Sequence, residues 1–240
     1  MSDVNIANPH EYDHRHADVS SGWLRATVFG AMDGLVSNLG LIAGIAAAGA
    51  APGIVAITGI SGLIAGAISM ALGEFTSVRT ANEQLDAEVR VEREAHDRNP
   101  DGERAELAVL FERLGMAPDI ARTAAGQVHA DSDQAVRVHL SHELGLSPEE
   151  KPSPWVAAIS SLLAFGAGAL IPILPFIFGF GTLAWGLALG GVGLLIAGGL
   201  AARFTRRNWI IGATRQLVFG GIAVAATYSI GMLLGVSALG

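Results

Sequence analysis

Residues 30–74 read GAMDGLVSNLGLIAGIAAAGAAPGIVAITGISGLIAGAISMALGE, and their reading decides the fold. Between Asp33 and Glu74 there is no ionisable side chain, so Gly34–Gly73 forms an uncharged run of 40 residues. A helix needs about 20 apolar residues to cross the hydrocarbon core. The run therefore holds two spans, divided by the turn-forming Gly49, Pro52 and Gly53. An acid at the head of such a run is costly in lipid and marks a functional site by default.

Two further uncharged runs follow, Pro152–Ala202 (51 residues) and Gln216–Gly240 (25 residues). The first, broken by FGFGT at 178–182, has room for two spans and the second for one. This predicts five spans, at roughly 24–47, 54–78, 154–176, 182–202 and 212–236. The whole composition agrees: 51% of the 240 residues are hydrophobic and 15% charged, with a mean hydropathy of +0.45, against about 25% charged residues in soluble domains.

The fifteen Lys and Arg residues occur at Arg15 and Arg25, between Arg79 and Lys151, and between Arg203 and Arg215. With five spans these places share one side of the membrane, which the positive-inside rule makes cytoplasmic. The amino terminus is then expected in the cytoplasm and the carboxyl terminus outside or in a lumen. No cleavable signal is expected, because residues 1–22 form a polar tail and the first apolar run is itself a full span. The absence of cysteine excludes disulfides and thiolate metal sites. The net charge of -7 argues against a nucleic-acid partner.

The organisation expected is all-α: the tail at 1–22, spans one and two at 23–78, a cytosolic helical acidic domain at 79–152, and spans three to five at 153–240. The segment 79–152 carries sixteen acids and nine bases. Leu85, Val89, Leu107, Leu110, Phe111 and Leu114 recur at helical spacing, with breaks at NPDG (99–102) and at Gly115–Pro118. Further helices are expected from Pro118 and over 133–144. Glu88, Glu92 and His96 are four apart, Glu103 and Glu106 three apart, and His139 and Glu143 four apart, so each set shares a helix face. Carboxylates and imidazoles converging from several helices suit Fe(II), Mn(II) or Zn(II). A solvated acidic surface accounts for the same spacings.

In the spans, Met70 and Glu74 share a face of span two. Counting inward from the ends, Asp33 and Met70 fall at similar depth, and Ser37 and Asn38 add oxygens beside Asp33. Together these make a mixed hard and soft seat for a transition-metal ion; Met70 packing in the bundle, Glu74 pairing with Arg79 and Asp33 capping a broken helix are the plainer alternatives. Small-xxx-small pairs at Gly30/Gly34, Gly40/Gly44, Gly62/Gly66 and Gly231/Gly235 predict close helix contacts. Pro172 and Pro175 should kink span three and free carbonyls that another helix or an ion path must satisfy. His10, His14 and His16 in the tail are further candidate ligands.

Taken together, SGWLRATVFGAMDGLVSN (21–38), GLIAGAISMALGEFTSVRT (62–80), SPWVAAISSLLAFGAGALIPILP (153–175) and GGIAVAATYSIGMLLG (220–235), with the Glu-rich insert between them, resemble the vacuolar iron transporter family. The resemblance runs from about Ser21 to the end. It implies a homodimer that exports Fe(II), and often Mn(II), from the cytosol in exchange for protons, in an inner membrane if bacterial or a vacuolar or similar membrane if eukaryotic. It also implies that Asp33 and Met70 lie on the translocation path, that Glu74 matches a family glutamate, and that Glu92, Glu103, Glu106 and Glu143 match metal-binding glutamates. The chain departs from the family pattern at Ala95, beside His96, where relatives often have Glu; at His139, where some have Met; and at Met32, where many have Asn.

A carboxylate withdrawn from water favours holding either a proton or a cation, and alternation between the two at Asp33 would couple their fluxes. The rival reading is a membrane-anchored metal buffer or sensor whose spans only tether it. A ferroxidase-like enzyme would need paired Glu-x-x-His motifs on two helices, which this chain does not offer.

Overall fold

The structure is a computed structural model that describes residues 22–143, 145 and 151–238, and within these the side chains of 24–142, 145 and 151–235. The tail with His10, His14 and His16 lies outside the described residues. Every regular element among the described residues is helical. Five helices are long and apolar enough to cross a membrane, at Leu24–Ala47, Pro52–Arg98, Pro154–Ile177, Leu183–Phe204 and Trp209–Gly235.

Helix α1 (Gly22–Ala47) runs through the middle of the bundle, packed on α6 (Pro154–Leu170), α9 (Trp209–Ala238), α2 (Pro52–Arg98) and α8 (Leu183–Phe204). Its buried face of Leu35, Leu39 and Ile42 meets Val55, Phe176 and Leu194. Lipid supplies no hydrophobic drive between helices, so close backbone approach has to hold them together. Gly30, Gly34, Gly44, Gly231 and Gly235 serve it, whereas Gly40 faces the Thr227 side chain and Gly62 and Gly66 take in the side chains of Leu41 and Phe165. At Gly34 an added Cβ would overlap the Phe165 carbonyl and come within 2.9 Å of the Ala169 nitrogen, while Gly44 and Gly231 let α1 and α9 touch backbone to backbone.

The second helix departs from the expected boundary at 78. It is one uninterrupted helix of 47 residues, so the second span and the first helix of the acidic insert are a single rod. No Pro or Gly occurs between Gly73 and Pro100, and only Asn99–Pro100 stops it. The other insert helices are α3 (Pro100–Arg113), α4 (Pro118–Val128) and α5 (Ser132–Glu143). Leu107, Ala108, Phe111, Ala121 and Ala125 bury the α3–α4 contact, and an Arg93–Asp133 ion pair at 2.9 Å ties α5 to α2.

The interruption expected at Pro172 is present. After α6 the chain makes a 3-10 turn at Ile171–Ile173, continues through the short α7 (Leu174–Ile177), and reverses at Gly179 with φ +85° before α8. Proline has no N–H to give and disturbs the preceding turn. The side chain of Asn38 answers this from α1, donating from Nδ2 to the Ala169 carbonyl at 2.6 Å.

Candidate functional site: a membrane carboxylate and a histidine–carboxylate cluster

Asp33 lies on the stripe of α1 that the other described residues leave uncovered. Arg25, Phe29, Asp33 and Ser37, each four residues from the next, are all exposed, whereas the residues between them are buried or half-buried. Among the described residues no salt bridge reaches the Asp33 carboxylate. The nearest base on the stripe, Arg25, is instead 3.8 Å from Glu74, whose side chain is 16% exposed. The alternative pairing of Glu74 with Arg79 does not form, since Arg79 pairs with Glu83 at 2.8 Å.

Three contacts fix how α1 and α2 run past one another. Arg25 meets Glu74, Asn38 lies at Gly62, and Ile42 lies at Gly59. In that register Asp33 is level with Gly66, and Met70 is about one turn, ~5 Å, nearer the Arg25–Glu74 end. The similar depth expected for Asp33 and Met70 is therefore offset by a turn, because glycine notches rather than distance from the helix ends set the register. Met70 packs with Ala67, Phe165 and Ala169. Ser37 shares the Asp33 stripe and donates its hydroxyl to the Asp33 backbone carbonyl at 2.5 Å. Asn38 is 2% exposed and committed through Nδ2 to the kink; its buried Oδ1 has no hydrogen-bond partner among the described residues.

The second place is in the insert. Glu92 on α2, Glu103 on α3 and His139 on α5 each present one donor atom, and the three atoms lie within 4.8 Å of one another. His139 is 1% exposed, with Nδ1 at 3.5 Å from Glu92 Oε1 and 4.0 Å from Glu103 Oε2. Metal–ligand bonds of about 2.0–2.2 Å put neighbouring donors roughly 3–4 Å apart, so small side-chain shifts would seat an ion. The sequence brings these atoms together by simple means. Asn99 ends α2 and accepts from Gly102 N at 3.2 Å to start α3, which folds Glu103 back towards Glu92.

Glu88 and Glu106 lie one turn along from Glu92 and Glu103 and are not among the converging donors; Glu106 is exposed. His96 is stacked on His129, with ring centroids 5.0 Å apart. Glu143 closes α5, and its side chain lies outside the described residues. Sequence reasoning missed His129. It caps α4 beyond the last helical residue, so no helix-face spacing points to it, yet its Nε2 is 3.1 Å from His139 Nε2. Burial, then the neighbouring His139, His96 and Arg104, lowers the His129 pKa to about 4, so the ring is neutral at physiological pH.

An acidic and imidazole-bearing cluster without sulfur thus includes Glu92 from the same rod as the second span, and Asp33, without a salt bridge among the described residues, sits in the bundle. The VIT family model matches residues 24–232. A vacuolar iron transporter of Acanthamoeba castellanii is 34% identical over 231 residues, covering 92% of this chain and 82% of that protein. Vacuolar iron transporter 2 of Oryza sativa subsp. japonica is 30% identical over 211 residues, covering 85% of each. Vacuolar iron transporter homolog 2 of the same plant is 34% identical over 215 residues, covering 87% of this chain and 88% of that protein. Matched from the first span to the last, and similar along nearly its whole length to these relatives, the chain belongs to the VIT family.

Proposed function

We propose that this metal transporter moves Fe(II), with Mn(II) as a second cargo, out of the cytosol in exchange for protons, as a homodimer. The observation that carries the reading is Asp33: a carboxylate well inside a span, on an uncovered stripe, with no base paired to it among the described residues. Such a group is costly against lipid. A second subunit laid along the Arg25–Phe29–Asp33–Ser37 stripe would remove it from lipid and enclose a path between two carboxylates.

In that path Asp33 holds either a proton or a divalent ion, so that loading of one requires release of the other. Ser37 adds an oxygen along the same stripe. Met70 borders the path from α2 a turn nearer the cytoplasm, and Glu74, held by Arg25, guards its mouth. The insert at 79–152, on the cytosolic side, collects ions from dilute solution through Glu92, Glu103 and His139, with Glu88, His96, Glu106 and Glu143 around them. Its acidity raises the local concentration of cations at that mouth. The relatives' names support iron as cargo, and the transition-metal character of a nitrogen and oxygen donor set supports Fe(II), Mn(II) or Zn(II) over Ca(II).

The test is uptake into sealed proteoliposomes of Fe(II) and Mn(II), with and without a pH gradient, by the wild type and Asp33→Asn. Transport driven by the gradient in the wild type and its loss in the variant are expected. Undiminished metal-driven proton flux in Asp33→Asn would refute the exchange mechanism. If the wild type binds ions in the insert yet moves none, the chain is a tethered buffer instead.

A further inference from the structure

This inference rests on the reading of Glu92, Glu103 and His139 as a cargo site and concerns a residue that the reading leaves out. We propose that His129 is the positioning residue of that site: it holds His139 in the tautomer that carries its hydrogen on Nε2 and turns Nδ1 towards Glu92 and Glu103.

The geometry that points to it is the contact between two Nε2 atoms at 3.1 Å. Two imidazole nitrogens that close must share a proton, since two lone pairs would repel. His139 can ligate an ion beside the carboxylates only through Nδ1, because that is the nitrogen 3.5 Å from Glu92 and 4.0 Å from Glu103. When Nδ1 binds the ion, the neutral ring carries its hydrogen on Nε2, and His129 Nε2 is the acceptor in place to receive it. Metal-bound histidines generally donate their other N–H to an oxygen acceptor, and such partners orient the ring and raise its basicity. Here an imidazole fills that role.

His129 is itself braced. It stacks on His96 with the ring planes 16° apart, and meets His139 nearly edge-on at 81°. His139, at 1% exposure, is shielded from water. The three histidines therefore form a chain from the wall of the insert to the donor atom: His96 fixes the plane of His129, and His129 fixes the orientation of His139.

The test uses Co(II) as probe, with the full-length protein in detergent and a His10→Ala, His14→Ala, His16→Ala background to silence the tail. His129→Phe keeps a flat ring against His96 but removes the acceptor; His129→Gln restores an acceptor oxygen. Loss of the acceptor should weaken Co(II) binding by about 10- to 100-fold and alter the visible absorption of the bound ion, whereas His129→Gln should recover most of both. Wild-type affinity and spectrum in His129→Phe would overturn the proposal, as would equal losses in both variants, which would mean that the residue only packs. The double variant Glu92→Gln, Glu103→Gln is the separate control. If it binds Co(II) like the wild type, the cargo site is misplaced and both readings fall; if it loses binding while His129→Phe does not, only the role of His129 falls.

Discussion

The two acidic places in this molecule are built on opposite terms. In the insert, Glu92, Glu103 and His139 arrive from three different helices of one chain and close on one another, with His129 and His96 behind them. In the bundle, Asp33 stands on one helix, backed by glycine contacts to α6, and the described residues supply nothing opposite it. The first arrangement is suited to capturing an ion. The second suits the proposed exchange, in which a second subunit, a proton or the ion itself would complete the ligand set and no occupant is fixed. What the contrast teaches is that acids count by what faces them, not by their number: the insert holds sixteen of the 22 acidic residues, yet in the exchange proposed above the decisive one is Asp33 in the first span.

The sharpest way to break the contrast is to disable each place alone. Asp33→Asn should reduce proteoliposome transport to the level of protein-free vesicles while leaving Co(II) binding by the insert at its wild-type affinity. A parallel loss of both would mean that the two places are one site. Conversely, Glu92→Gln with Glu103→Gln should weaken insert binding by tenfold or more and raise the metal concentration needed for half-maximal transport, with the maximal rate little changed. A collapse of the maximal rate would show that the insert is part of the path rather than its collector.

Smaller effects test the frame that holds Asp33. Gly34→Leu forces a side chain against the Phe165 carbonyl, and overpacking of this kind costs about 1–3 kcal/mol; thermal unfolding in detergent should fall accordingly, with insert binding retained. Smallest is the pH response of the insert. His129 has a folded-state pKa of about 4 against 6.5 for the free side chain, so between those values the unfolded chain binds the proton and the folded chain resists it. Stability of the metal-free protein should therefore decline as pH falls from about 6.5 towards about 4. Circular dichroism melts in the presence of chelator would read the decline, and His129→Gln should flatten it.

The spans were legible because charge is absent from long runs, and no packing detail is needed to see that: four of the five expected spans agree with the helices within three residues at either end. The glycine pairs and the Pro172 interruption were legible for the same local reason. What was not legible is every relation across helices. The continuity of α2 through residue 78 hid behind a change of composition that has no bearing on helix propagation. Asn38 reads as an ion ligand in sequence and is a donor to the kinked span in space. His129, just past the end of α4, belongs to no helix-face spacing in the sequence and touches His139.

By itself the sequence determined an all-helical chain with five helices long and apolar enough to cross a membrane, an acidic insert after the second, and a carboxylate, Asp33, well inside the first, because solvent preference and helix periodicity are properties of residues and their near neighbours. Only the tertiary structure decided that Asp33 faces outward while Arg25 is taken by Glu74, and that Met70 sits a turn away. It also decided that two glutamates and a histidine, 11 and 36 residues apart along the chain, share a few ångströms. Those outcomes depend on where backbones can approach, which glycine contacts and helix ends set jointly and no single segment encodes.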